Sequence, residues 1–97
     1  MIDAGARIRR NPRVEHRTLA GGEGVLLHLD TAAYHGLNAT GELIWDSIGS
    51  GTTFGELVLS VRRLDDAPFE LEGDVAAFVA ALAERGLIFV EEDVAER

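Results

Sequence analysis

The 97-residue chain contains no cysteine and no lysine, and only two prolines, one tryptophan and one tyrosine. Each absence excludes a class of protein. Without cysteine there is no disulfide framework, no thiol nucleophile and no thiolate zinc site, a composition that suits a reducing compartment. No apolar run approaches the roughly 18 residues of a membrane span. The first residues, Met-Ile-Asp-Ala-Gly-Ala-Arg, lack the basic-then-apolar order of a secretory signal. The expectation is therefore a soluble cytoplasmic protein with no membrane partner. Formal net charge is −8, and it is unevenly placed: residues 1–37 carry five arginines against four acids, residues 38–97 four against thirteen. A duplex-binding surface must neutralise several phosphates, so the acidic half disfavours nucleic acid and leaves a basic peptide or protein surface as the partner it suits. At this length, with 46% hydrophobic residues, one core and one domain over residues 1–97 are expected.

What is present is organised around residues 25–48, where the hydrophobic period changes once. Val25, Leu27 and Leu29 alternate with Leu26, His28 and Asp30 as in a strand with one buried face. Asp30-Thr31 supplies a turn before a second short run, Tyr34 to Leu37. Asn38 then offers a helix cap, and Gly41, Ile44, Trp45 and Ile48 form a helical stripe. Upstream, Val14 to Leu19 alternates weakly and Ala20 to Gly24 reads as a glycine-rich turn, which completes a three-stranded antiparallel meander. Residues 1–13 alternate arginine with small or apolar residues and read as a mobile arm. Downstream, Thr53 and Glu56 make a capping box for a helix with Phe54, Leu57, Val58, Val61 and Leu64 inward. Asp65 to Pro68 ends it. A third helix is expected from about Glu70 to Arg85, with Leu71, Val75, Phe78, Val79 and Leu82 inward and Gly86 as its terminal glycine. Leu87 to Val90 forms a short strand or packs back, and residues 91–97 form a frayed tail. The fold class is α+β, a winged-helix-like β-β-β-α-α-α order (βββααα).

The sequence carries no nucleophile motif. Gly49 to Thr53 lacks the lysine and spacing of a phosphate loop. His16, His28 and His35 fall one on each strand of the meander. Pairing Leu29 with Tyr34 puts His28 opposite His35, and one register of the first hairpin adds His16, a row with catalytic zinc geometry. The alternative, which the lack of a nearby base other than Glu15 favours, is solvent-facing sheet residues. Trp45 reads as core. The third helix has a broad small-residue shoulder, Ala76, Ala80 and Ala83, with Ala77 and Ala81 on the other side of its apolar stripe. If that shoulder lies beside the meander's last strand, the two enclose a groove that holds an extended peptide by backbone pairing. A dimer mate filling the same groove stays open.

The run Leu29-Asp30-Thr31, Tyr34-His35-Gly36-Leu37-Asn38, Thr40-Gly41 and Ile44-Trp45 is followed by Gly51-Thr52-Thr53, Glu56-Leu57, Asp74-Val75, Phe78-Val79, Leu82 and Gly86-Leu87. Together these resemble the PqqD-like family of RiPP recognition elements, small domains that bind the leader segment of a ribosomally made precursor peptide. The resemblance covers about residues 10–90 and implies a non-catalytic module without cofactor or metal. It implies that the leader adds as a strand beside Thr31, Ala32, Ala33, Tyr34 and His35, against a helical wall of Ala76, Phe78, Val79, Ala80 and Ala83. The chain is most similar to the discrete recognition proteins of lasso-peptide biosynthesis, whose partner is a leader-cleaving cysteine protease. A carrier for a radical maturation enzyme, as in pyrroloquinoline quinone biosynthesis, is the related alternative, and a winged-helix nucleic-acid binder the unrelated one. A monomer or weak dimer is expected.

Overall fold

A computed structural model describes residues 3–64 and 71–91. The meander is β2 (Val14–Thr18), β3 (Gly24–His28) and β4 (Tyr34–Leu37), in spatial order β2-β3-β4. Helix α1 (Ala39–Ile48) follows directly, then a two-residue strand β5 (Thr52–Thr53), α2 (Phe54–Leu64), α3 (Leu71–Glu84) and β6 (Ile88–Glu91). The antiparallel meander followed by three helices is the α+β arrangement read from the sequence.

Residues 7–10, expected in a mobile arm, instead form strand β1 (Arg7–Arg10), the centre of a second sheet ordered β5-β1-β6. Ile8 pairs with Thr52 on one side and Val90 on the other. The physical reason is burial at period two: Ala6 and Ile8 are fully buried, whereas Arg7 and Arg9 point to solvent, Arg9 lying over the Phe89 ring at 4.7 Å. The same segment caps α2. Thr53 Oγ1 accepts the Glu56 N–H at 3.2 Å as expected of its capping position, and the Ala6 and Ala4 carbonyls accept the N–H groups of Phe54 and Gly55, each at 2.9 Å. The terminal strand is also real, displaced by one residue from Leu87–Val90.

Helix α1 begins where Asn38 Oδ1 accepts the Gly41 N–H at 2.8 Å, and its buried residues are Gly41, Ile44, Trp45 and Ile48. Phe54, Leu57, Val58 and Val61 of α2 are buried, but Leu64, read as inward, is 64% exposed because the helix ends there, past the edge of the core. In α3, Val75, Val79 and Leu82 are fully buried. Glu70, the Asp65–Pro68 loop, the Leu71 side chain and the 92–97 tail lie outside the described residues. Helix α3 closes with paired bonds, Gly86 N–H to Ala83 O and Leu87 N–H to Leu82 O, at 3.0 and 2.9 Å. Gly86 takes φ +75° to make them, a conformation that favours glycine. Buried Asn11 donates to the Gly86 carbonyl at 2.7 Å, which ties β1 to the end of α3.

Two expectations about the meander are corrected. The buried face of β3 is Gly24, Leu26 and His28, whereas Val25 and Leu27 are half-buried and Leu29 is exposed. The β3–β4 register is Leu27 with Tyr34 and Leu26 with His35, two residues away from the expected pairing. The turn explains the slip. Ala32 takes φ +61° and donates to the His28 carbonyl, while Thr31 Oγ1 accepts from Ala33 N–H, so the loop runs from Leu29 to Ala33 and consumes Leu29.

Candidate functional site

The register decides what the histidines can do. His16 and His35 both pair with Leu26, and His28 lies opposite Val14, so the rings form no metal-binding row. Nor are they solvent-facing. All share the sheet face turned to the helices, since directly paired residues and i, i+2 neighbours lie on one side. His16 Nε2 meets Glu42 of α1 at 2.5 Å, and Thr18 Oγ1 donates to the other oxygen of that carboxylate at 3.1 Å. That ties β2 to α1. Gly24 lies beneath it, where a side chain would meet Glu42 Oε2 and displace that carboxylate. Among the described residues no group of three His, Cys, Asp or Glu is placed to hold a metal ion.

Strand β4 is the first wall of the candidate groove. Among the described residues its single neighbour is β3, which leaves its other edge open. Which main-chain groups face that edge follows from the ladder. His28 N–H donates to the Ala33 carbonyl at 2.9 Å, making that pair a hydrogen-bonded one; the alternation then makes Leu26–His35 and Gly24–Leu37 hydrogen-bonded too. Tyr34 and Gly36 occupy the intervening pairs, and their N–H and C=O groups point outward to the edge. Neither lacks access, since Tyr34 is 71% exposed and Gly36 is exposed with open space beside its Cα.

Helix α3 is the second wall, and two contacts fix its direction. Phe78 Cε1 and Leu37 Cδ2 come within 3.1 and 3.3 Å of where a Gly41 side chain would begin, so Phe78 packs at the Leu37 end of β4. Arg85 joins Tyr34 and His35 around a cavity of about 300 Å³ at the other end, which His28, Thr31 and Leu87 also line. The helix therefore runs antiparallel beside the open strand. At 100° per residue, Phe78, Ala81 and Arg85 share its β4 flank. Ala76, Ala80 and Ala83 fall on the opposite flank, where Ala76 and Ala83 pack partly against the core and Ala80 is exposed. Val79 is fully buried between the flanks. Of the wall residues expected from the sequence, the structure brings only Phe78 to β4. The alanine periodicity marked a small-residue face without telling which side of the helix the sheet occupies. Ala81 was visible on the other side of the stripe, but its place beside β4, and that of Arg85, follow only from Phe78 as a reference point.

On the β4 side, Thr31, Ala32, Ala33 and Tyr34 are exposed and His35 is half-buried. Burial, and then the positive charge of Arg85, lower the His35 pKa from the ordinary 6.5. The folded state thus resists protonation there more than the unfolded chain does. The stability this contributes is complete above pH 6.5 and is lost as pH falls through that value toward the lower folded pKa. Replacing His35 with asparagine is expected to flatten the acid-side slope of unfolding free energy, measured by urea titration from pH 7.5 down to about 5. An unchanged slope would remove His35 from the account.

The exposed residues of α3 are poorly suited to a nucleic-acid groove, since Glu72 and Asp74 occupy its first turn and its last turn is without a basic residue. Among the described residues no helix is long and apolar enough to cross a membrane.

Comparison with known proteins is consistent with this geometry. Residues 23–88 match the family model described as coenzyme PQQ synthesis protein D (PqqD). A solved structure of TbiB1 in complex with the TbiA(beta) leader peptide is 30% identical; the match covers 84% of this chain and 94% of that one, with a TM-score of 0.71. A search of curated proteins found no significant match.

Proposed function

The chain belongs to the PqqD family, and on that premise we propose that it binds the leader segment of a ribosomally made precursor peptide as a strand added to β4. The observation that carries this reading is the open β4 edge with α3 antiparallel beside it. The outward N–H and C=O groups of Tyr34 and Gly36 give a peptide backbone its hydrogen bonds. Alternate peptide side chains then fall on Phe78, Ala81 and Arg85, while the others pass over Tyr34 on the outer sheet face. Small Ala81 lets the peptide approach the helix between its two larger neighbours. The similarity to a protein solved with a leader peptide supports the same role for this chain.

In this reading the protein performs no bond-making step. It raises the effective concentration of a precursor's processing site at a maturation enzyme, a leader-cleaving cysteine protease of a lasso-peptide pathway. The test is a polarisation titration of a labelled leader segment, from the precursor encoded beside this chain, with unlabelled leader and core segments as competitors. Saturable binding that only the leader competes away is expected; a folded protein that binds neither segment overturns the reading.

The choice of helix flank is tested separately. Ala81→Glu is expected to weaken leader binding tenfold or more, about 1.4 kcal/mol, by filling the wall with a charge. Ala80→Glu, on the far flank, is expected to leave the affinity within about twofold of the native value. The reverse pattern would place the peptide on the alanine shoulder after all.

A further inference from the structure

The cavity at the Tyr34 end of the groove has a composition unlike the rest of this acidic chain. Its polar lining is His28, Thr31, Tyr34, His35 and Arg85, without a carboxylate. Asp30 N–H donates to His28 Nδ1 at 3.2 Å, so the neutral ring carries its proton on Nε2 as a donor. Thr31 Oγ1 already accepts from Ala33 N–H, which leaves its hydroxyl proton to give. Arg85 has no carboxylate within salt-bridge distance among the described residues, and Asp30, the nearest acid in the adjoining turn, is held by Arg13 at 2.9 Å. The residues that carry these donors thus line one opening, and none of its lining residues is an acid.

We propose that this cavity is a specificity pocket for an acidic side chain, an Asp or Glu of the bound leader. The inference rests on the strand-addition reading, because the strand is what brings a side chain to this end of the groove. A carboxylate can accept from the Arg85 guanidinium and from His28 Nε2–H or Thr31 O–H, a role that an amide matches in shape but not in charge. Leu87, which is buried, and Ala33 complete the lining.

The experiment is a positional scan of the labelled leader segment in which each residue in turn is Asp or Asn, read by polarisation against the native protein, Arg85→Gln and Arg85→Glu. Arg85 is exposed, so both variants are expected to fold, as circular dichroism will verify. One position is expected at which Asp binds about tenfold tighter than Asn to the native protein, in line with a charge-assisted hydrogen bond. That preference vanishes with Arg85→Gln, and Lys at the same position restores affinity to Arg85→Glu. Absence of any such position, or a preference that survives Arg85→Gln, overturns the acidic pocket. Leader binding that persists through that outcome leaves the strand-addition reading standing, whereas a leader that fails to bind the native protein defeats both.

Discussion

Trp45→Ala is expected to destabilise the folded state by roughly 3–5 kcal/mol, a large share of the 5–15 kcal/mol typical of a whole domain. The side chain is 1% exposed and sits where β1, β2 and α1 meet. The Arg10 guanidinium lies over the ring at 4.8 Å and donates to the Trp45 carbonyl at 2.7 Å, and the His16 ring lies 5.9 Å away. Removing the indole therefore opens a cavity beneath a part-buried cation whose Nε already lacks a partner. It also loosens the strand that caps α2. Thermal unfolding by circular dichroism is the measurement, with a fall in midpoint of at least about 12 °C expected from the lower cost. Trp45→Phe sharpens the interpretation. The indole N–H is buried without a partner among the described residues, so phenylalanine removes an unsatisfied donor while keeping most of the ring, and a cost within about 1.5 kcal/mol is expected. If Trp45→Ala stays within 1 kcal/mol of native on the same scale, Trp45 is not a core residue.

The meander and helices were legible because their signals are local. Asn38 with Gly41, Ile44, Trp45 and Ile48, and Thr53 with Glu56, each place a cap and a stripe within a few residues, and each is found where expected. Strand β1 was not legible for the opposite reason. Its alternation rests on Ala6 and Ile8 alone, and its partners lie at Thr52–Thr53 and Ile88–Glu91, far along the chain. A single isoleucine among arginines satisfies an arm as well as a strand until those partners are placed. The expected histidine row failed at both hairpins, because His16 and His35 each pair with Leu26 instead of His28. A slip of two residues at the Leu29–Ala33 loop preserves which residues share a face, so the parity was right while the row was wrong. The buried face of β3 could not be chosen from pattern, because Val25, Leu27 and Leu29 are the more apolar set. Leu26 and His28 face inward instead, where His28 fills the space over Gly86, its Nε2 lying 3.5 Å from where a side chain there would begin.

The same asymmetry governs the proposed groove. Its strand wall is a local feature: the pattern pointed to the meander's last strand, and the resemblance to Thr31–His35. Its helix wall depends on the rotation of α3, which Val75, Val79 and Leu82 set by burying themselves against the other elements. Those three are consistent with either flank facing β4. The close approach of Phe78 to Gly41 is what selects one, and no periodicity within α3 contains it.

Gly36→Pro is expected to eliminate most leader binding while leaving the fold in place. The Gly36 N–H faces the open edge rather than β3, so proline costs the native ladder no hydrogen bond, and the strand conformation at His35 suits a residue preceding proline. Open space beside the Gly36 Cα accommodates the ring. For an added strand the consequences are the reverse: one donor disappears and the ring occupies the line along which the peptide backbone would approach. A loss of tenfold or more in affinity is expected, and Gly36→Ala, which keeps the N–H, is expected to bind within about twofold of native. The comparison separates backbone pairing from side-chain bulk. A complementary measurement uses the peptide instead of the protein. Methylating leader amides one at a time should weaken binding with a period of two residues, because only alternate N–H groups of an added strand face β4. Native-like affinity for Gly36→Pro, or an amide profile without that period, would show that the leader lies in the groove without joining the sheet. The Phe78–Ala81–Arg85 flank would then carry recognition by side-chain contacts alone.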